Sequence, residues 1–295
     1  MRRGLIAACA LSATLCAAPA AVAALHPGDI IVGSMDYTLI DNFPLFAGKV
    51  RVFTPDGSLL QELYSGNGYT SDLKFSPSGT LYGAAGAVVF RFANDGSMLT
   101  PLSAPPYAMN SLAFTRSGYL FATDGGGAVV KFGSDGSQQG LIRLGTDSSV
   151  WADLGMDECT LYFWDSMQIG RFNLCSNTMM TPLLAQVGDF GRTLLVLSDG
   201  SLLVSTSHAI MYRIRQDGTV LRQYATHALA YSRDLSPDFV WVSNSTGFAK
   251  FDLQNDAIVA GPFSSGPGDV MGIAVVGADF QTIPVTGRRR AAKVN

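Results

Sequence analysis

Short apolar segments alternate along this chain with turns rich in glycine, serine and aspartate, and no stretch sustains a helical period. The clearest unit runs from Ser71 to Leu102. It reads as a strand at Leu73 to Phe75, the turn Pro77-Ser78-Gly79, a strand at Thr80 to Gly83, another at Ala87 to Phe92, the turn Asn94-Asp95-Gly96, and a last strand at Ser97 to Leu102. Apolar positions alternate or run unbroken, as in strands covered on both faces. An X-Asp-Gly turn marks the repeat at Pro55-Asp56-Gly57, Asn94-Asp95-Gly96, Ser134-Asp135-Gly136 and Gln216-Asp217-Gly218. The aspartates lie 39, 40 and 82 residues apart, the last interval holding two periods with one degenerate copy between. Self-similarity near forty residues, with four strands to the period, predicts the blade of a β-propeller.

Comparable units fall at about 110–144, 151–184, 191–225 and 228–262, making five complete four-stranded antiparallel blades. The N-terminal stretch supplies only three strands, at Asp29 to Ser34, Lys49 to Phe53 and Ser58 to Leu63, with a long loop from Met35 to Gly48. Val270 to Val276 is the expected fourth. Joining the first and last strands in one blade buries two sheet edges and closes the ring. The fold class predicted is therefore all-β, a six-bladed propeller closed by its own termini. The turn aspartates Asp56, Asp95, Asp135 and Asp217, with Asp199 at an inner turn, precede glycines at positions that need positive φ. They are assigned to structure.

Residues 1–23 read as a separate element. Met1-Arg2-Arg3 is cationic, Gly4 to Cys16 is apolar, and Ala21-Val22-Ala23 suits signal cleavage. Removal leaves a single domain at 24–279 and a basic tail at 280–295, exported to the periplasm or beyond the cell. The apolar run meets Pro19 and small residues short of the roughly twenty apolar residues a membrane span needs, so no transmembrane span is expected. The chain carries 20 basic and 23 acidic residues. Setting aside Arg2, Arg3 and the tail's Arg288, Arg289, Arg290 and Lys293 leaves 14 basic against the same 23 acidic residues, a net of −9. Such a body argues against nucleic-acid binding, and a closed ring of this length is expected to be a monomer.

Of the 4 cysteines, only Cys159 and Cys175 lie beyond the signal. If their strands form a hairpin turning near Met167, paired positions sum to 334, and the two face each other directly. An oxidising compartment then favours a cross-strand disulfide over a metal site or reactive thiol.

In a propeller, loops entering the inner strands share a face with loops between second and third strands, and the Asp-Gly turns occupy the other. The first face is where a ligand is expected. The residues entering the inner strands there are Asp72, Asn110, Asp153, Arg192, His227 and Asp269, and the second loops add Asp36, Asp41, Asp124, Asp165, His208 and Asn244. This polar, mostly acidic set suits a carbohydrate, another small molecule, a protein partner or a cation. No cofactor is required by it; a divalent cation is the one the set would admit. Tyr37, Phe43, Pro44, Leu45 and Phe46 on the long loop suit a lid or a partner contact.

Leu112-Ala113-Phe114, Ser117-Gly118-Tyr119-Leu120-Phe121-Ala122-Thr123-Asp124, Val129-Val130-Lys131-Phe132 and Ser134-Asp135-Gly136 together resemble an NHL repeat. The resemblance spans nearly all of the mature chain and extends to the gluconolactonase-like six-bladed propellers. It implies architecture more than function, because that group holds metal-dependent lactonases, lyases and plain binding scaffolds. The lactonases hold their metal with a first-blade glutamate, and here Glu62 belongs to an outer strand while Glu158 sits on the opposite face. Asp72, Asn110, Asp153 and Asp269 could still form another oxygen-rich site with His227 as base. Gly-x-Ser-x-Gly, Walker and dinucleotide motifs are absent from the sequence. An exported ligand- or protein-binding module is the leading expectation, with a metal-dependent hydrolase or lactonase as the alternative.

Overall fold

A computed structural model describes residues 23–40, 43–67, 70–103, 108–146, 151–165, 168–183, 191–207, 210–226 and 228–279. Residues 1–22, Asp41, His208, His227 and the basic tail lie outside them. The chain opens with β1 (Ile30–Ile40), β2 (Phe43–Phe53) and β3 (Leu59–Asn67). Blade two is β4 (Thr70–Phe75), β5 (Leu81–Ala85), β6 (Val88–Phe92) and β7 (Met98–Ser103). Blade three is β8 (Met109–Phe114), β9 (Leu120–Asp124), β10 (Ala128–Phe132) and β11 (Gln138–Arg143), and blade four is β12 (Ala152–Leu154), β13 (Thr160–Asp165), β14 (Gln168–Asn173) and β15 (Thr178–Leu183). Blade five follows with β16 (Gly191–Val196), β17 (Leu202–Thr206), β18 (Met211–Ile214) and β19 (Val220–Tyr224). Blade six is β20 (Tyr231–Arg233), β21 (Phe239–Ser243), β22 (Gly247–Asp252) and β23 (Ala257–Ser264), and β24 (Asp269–Val275) ends the order. Blade one runs β24-β1-β2-β3, so the C-terminal strand supplies its inner position and the two ends of the chain close the six-bladed ring.

The two-residue period of a strand explains why the core is divided among blades. Ile30 and Val32 pack with Trp241 and Phe248 of blade six, while Ile31 between them packs with Leu73, Phe75 and Leu81 of blade two. Each buried cluster lies between two adjacent blades in this way. Trp164 and Trp241 belong to such layers, and their indole N–H groups donate to Thr193 O at 3.2 Å and Asp234 Oδ2 at 2.7 Å. Hydroxyls also clip inner strands together. Ser71 Oγ donates to Met109 O of blade three, and Ser111 Oγ donates to Ala152 O of blade four at 2.6 Å. The outer edges are blunted: all six outer strand pairs carry a register shift, and Pro101, Pro182 and Pro262 lie in outermost strands.

The turn glycines behave as the pattern predicts. Gly57, Gly96, Gly136, Gly200 and Gly218 all have φ near +80° to +90°, and Ser97 and Ser137 donate backbone and hydroxyl hydrogens to Asp95 and Asp135.

Two expectations change. In the stretch read as a loop from Met35 to Gly48, the described residues 35–40 and 43–48 are strand: β1 and β2 stay paired from Ile30↔Phe53 to Ile40↔Phe43, reaching past the blade. Tyr37 to Ile40 and Phe43 to Phe46 are rich in β-branched and aromatic residues, which favour a pleated backbone over a loop. The Cys159–Cys175 bridge is present, with Cα atoms 5.3 Å apart, but the register beneath it is shifted by one. Thr160 pairs with Asn173 and Asp165 with Gln168, so paired positions sum to 333. Leu174 N–H therefore donates to Cys159 O at 2.7 Å, and Cys175 reaches across from the first residues of the following turn.

Candidate functional site

Where the inner strands end, on the face that carries the inner turns and the Asp-Gly turns, all six blades contribute to a cavity of about 330 Å³. Its volume falls within the range of small-molecule sites. Phe75, Phe114, Leu154, Met156, Leu197 and Phe239 supply an apolar wall. Lys74, Asp153, Arg233 and Asp279 supply buried or part-buried charge.

The charges are organised by the edge-strand character of the inner strands, whose free N–H groups face the channel. Carboxylates of the same strand and of neighbouring blades satisfy them. Asp153 Oδ2 accepts from Val196 N at 2.8 Å and Oδ1 from Leu154 N at 3.0 Å. Asp72 accepts from Leu73 N and Leu112 N, each at 2.8 Å, and Asp279 Oδ2 accepts from Phe75 N at 3.1 Å. Arg233 spans the group: Nη2 donates to Asp153 Oδ2 at 2.9 Å, Nη1 lies 3.4 Å from Asp279 Oδ1, and Val196 O accepts from Nε and Nη2.

Burial pushes the Asp72 carboxyl up to about 6, against the pull of Lys74 and of the two amides. For Lys74 burial works downward, but the charges of Asp153, Asp72 and Asp279 outweigh it and the ammonium is held above its ordinary value, with Arg233 opposing. Lys74 is therefore a fixed cation rather than a nucleophilic amine.

The residues expected from sequence divide between the two mouths. Asp153 lines the cavity at the inner-turn mouth. Asp72 lies within β4, facing the same charges. Asn110 is buried near the start of β8, and its Nδ2 has no partner among the described residues. Arg192 is exposed and lines a hollow of about 290 Å³ at the other mouth, with Trp151, Ser207, Leu229 and Met271. Asp269 begins β24 at that mouth. His227 lies outside the described residues. Of the second-loop residues, Asp36 pairs with Lys49 and Arg51, Asp124 caps Gly126 and Ala128, and Asn244 caps Thr246 and Gly247.

Asp72, Asn110, Asp153 and Asp269 are thus spread along the channel, and the carboxylates of Asp72 and Asp153 already serve backbone amides. Among the described residues no group of three or more His, Cys, Asp or Glu side chains converges as a metal centre would require. Lys74, Arg233 and Asp279, which build the cavity's charge, were missed by sequence reasoning. A signal existed in Leu73-Lys74-Phe75, where a charge stands inside a strand between apolar neighbours, whereas Arg233 lies between Ser232 and Asp234 and carried no such signal.

No protein-family model matches the chain, and no curated protein matches it in sequence. Solved structures do resemble it. A protein of unknown function from Bacteroides caccae aligns with a TM-score of 0.67 at 9% identity, over 85% of this chain and 100% of that one. The WD40 beta propeller domain of Doa1 gives 0.60 at 15% identity, over 85% and 88%. A chain of a nidogen/laminin complex gives 0.67 at 12% identity, over 84% and 98%. The likeness is one of fold. At these identities it places the chain among β-propellers and assigns no activity.

Proposed function

We propose that this protein is an exported, monomeric ligand-binding module whose site is the cavity at the inner-turn mouth. The observation that carries the reading is that all six blades build one partly apolar cavity in which the carboxylates are bound to backbone amides or cations. Groups so committed hold a shape and a field; they are not poised to exchange protons with a substrate. The NHL-like repeats and the signal-like N-terminus support the same reading, and the nidogen/laminin complex shows a propeller-like chain serving protein association.

Export is tested by fractionating cells that express the full-length chain with a C-terminal tag, where retention of uncleaved protein in the cytoplasm counts against it. Binding is tested by a ligand-observed NMR screen of acids, amines, sugars and neutral aromatics. Turnover in a lactone panel, lost on Asp153→Ala, would instead favour the hydrolase.

A further inference from the structure

We infer that the cavity binds a small monocarboxylate with an apolar body, its carboxylate seated on Lys74. This rests on the cavity being the ligand site. Among the charged residues that line it, the acids are each engaged: Asp153 and Asp279 by backbone amides and Arg233, Asp234 by Ser236 N, Trp241 Nε1 and Lys250, Asp199 by Ser201 and Arg213, and Glu158 by Arg116. Arg233 and Arg116 are engaged in the same pairs. Lys74 differs. It is 7% exposed, it lines the cavity, and among the described residues its ammonium makes neither a hydrogen bond nor a close ion pair. Asp72, Asp153 and Asp279 act on it from beyond ion-pair distance.

The Lys74 side chain is buried but its ammonium opens to the cavity with no protein acceptor among the described residues, so an acceptor that brings negative charge can take up its donors. One charge is the fitting number, because a second would face those three carboxylates with no second free cation among the described residues that line the cavity. The remainder of the ligand meets Phe75, Phe114, Leu197, Phe239 and Met156, a wall suited to an aromatic or short aliphatic body, with the thioether able to adjust to its shape.

The test uses the full mature protein and four probes of one shape: phenylacetate, phenylphosphonate at a pH where it is a dianion, 2-phenylethanol and 2-phenylethylamine. Calorimetry gives relative affinities, and ¹³C-methyl labelling of the nine methionines beyond residue 23 locates binding, because among the described residues Met156 is the one methionine that lines the cavity. We expect phenylacetate to bind at least tenfold more tightly than the alcohol, to shift the Met156 methyl, and to lose at least tenfold in affinity with folded Lys74→Met. If that variant does not fold, the wild-type affinity order and the Met156 shift decide the matter. Equal or tighter binding of the alcohol, amine or phosphonate, or phenylacetate binding that leaves Met156 unmoved, overturns the assignment while a ligand site in the cavity can stand. If no probe of any charge, and no compound in the broader screen, moves Met156, both readings fall.

Discussion

Replacing Arg233 by methionine removes the cation that joins blade six to Asp153 of blade four, Val196 of blade five and Asp279 beyond the inner strand of blade one. Methionine can occupy much of the same space, so the loss is electrostatic more than steric. Asp153 and Asp279 would keep their backbone amides but lose the neutralising charge. Breaking a buried pair from one side costs about 3–5 kcal/mol. Arg233 retains 22% side-chain exposure, so water can partly solvate the carboxylates it leaves, and about 3 kcal/mol at the lower end of that range is expected. Urea unfolding at pH 7 measures it, with an unchanged m-value as the check that compactness is preserved. Asp153→Asn in the same background should recover part of the loss, since the amide oxygen still accepts from Val196 N while the bare charge is gone. A loss below about 1 kcal/mol, or strictly additive single and double substitutions, would refute the account of Arg233 as the charge that holds this group together.

Replacing both Cys159 and Cys175 by serine opens a loop of about 17 residues and should cost about 3 kcal/mol on the chain-entropy model, read as a lower urea midpoint than the oxidised parent. Asp72 carries the opposite pH sign from a salt-bridged acid. Its native pKa is about 6 against 3.8, so its contribution is most favourable below the unfolded value and is lost as pH rises from about 4 to 6, a change of about 3 kcal/mol. Asp72→Asn should flatten that slope in paired urea titrations at pH 4 and pH 7, and an unchanged slope would show that another group sets it. Gly191→Ala places a methyl where the Trp164 ring lies, so this overpacking of the blade four and five interface should cost roughly 1–3 kcal/mol and shift tryptophan fluorescence; wild-type stability and emission would contradict the packing.

The strands were legible because the turns are. Each Asp-Gly pair pins a hairpin, and the distance between pairs fixes the blade, so the ring could be counted without seeing a contact. Register was less legible. The cysteines were placed opposite one another by assuming a turn centred at Met167, but the structure pairs Asp165 with Gln168 and moves every partner by one. Composition and spacing do not distinguish those two registers; backbone hydrogen bonds do. The long β1–β2 hairpin was misread for a related reason. A loop was inferred from the length between ordinary blade strands, although Tyr37 to Ile40 and Phe43 to Phe46 had the composition of strands themselves.

The candidate site was least legible because it lies where the repeat is broken. A basic residue recurs on the third strand of every blade, at Arg51, Arg91, Lys131, Arg171, Arg213 and Lys250. Its work is local: Arg91 and Arg171 donate to Thr100 O and Thr181 O on the adjacent outer strands, while Lys131 and Lys250 lie over Tyr119 and Phe239. A charge repeated six times at the rim serves the blade. The inner strands behave differently. Matched by the hydrogen bond that opens each inner turn, the position of Lys74 in blade two is Ala113 in blade three, Asp153 in blade four and Leu195 in blade five. Alanine and leucine show that the blade itself asks for no charge there, and burying one carries a desolvation cost that propeller geometry does not explain. Asp153 meets that cost with Val196 N and Arg233. Lys74 shares the cavity without a direct partner among the described residues; the charges of Asp153, Asp72 and Asp279 offset its burial, and the carboxylate proposed above would supply the hydrogen-bond acceptor that the repeat does not.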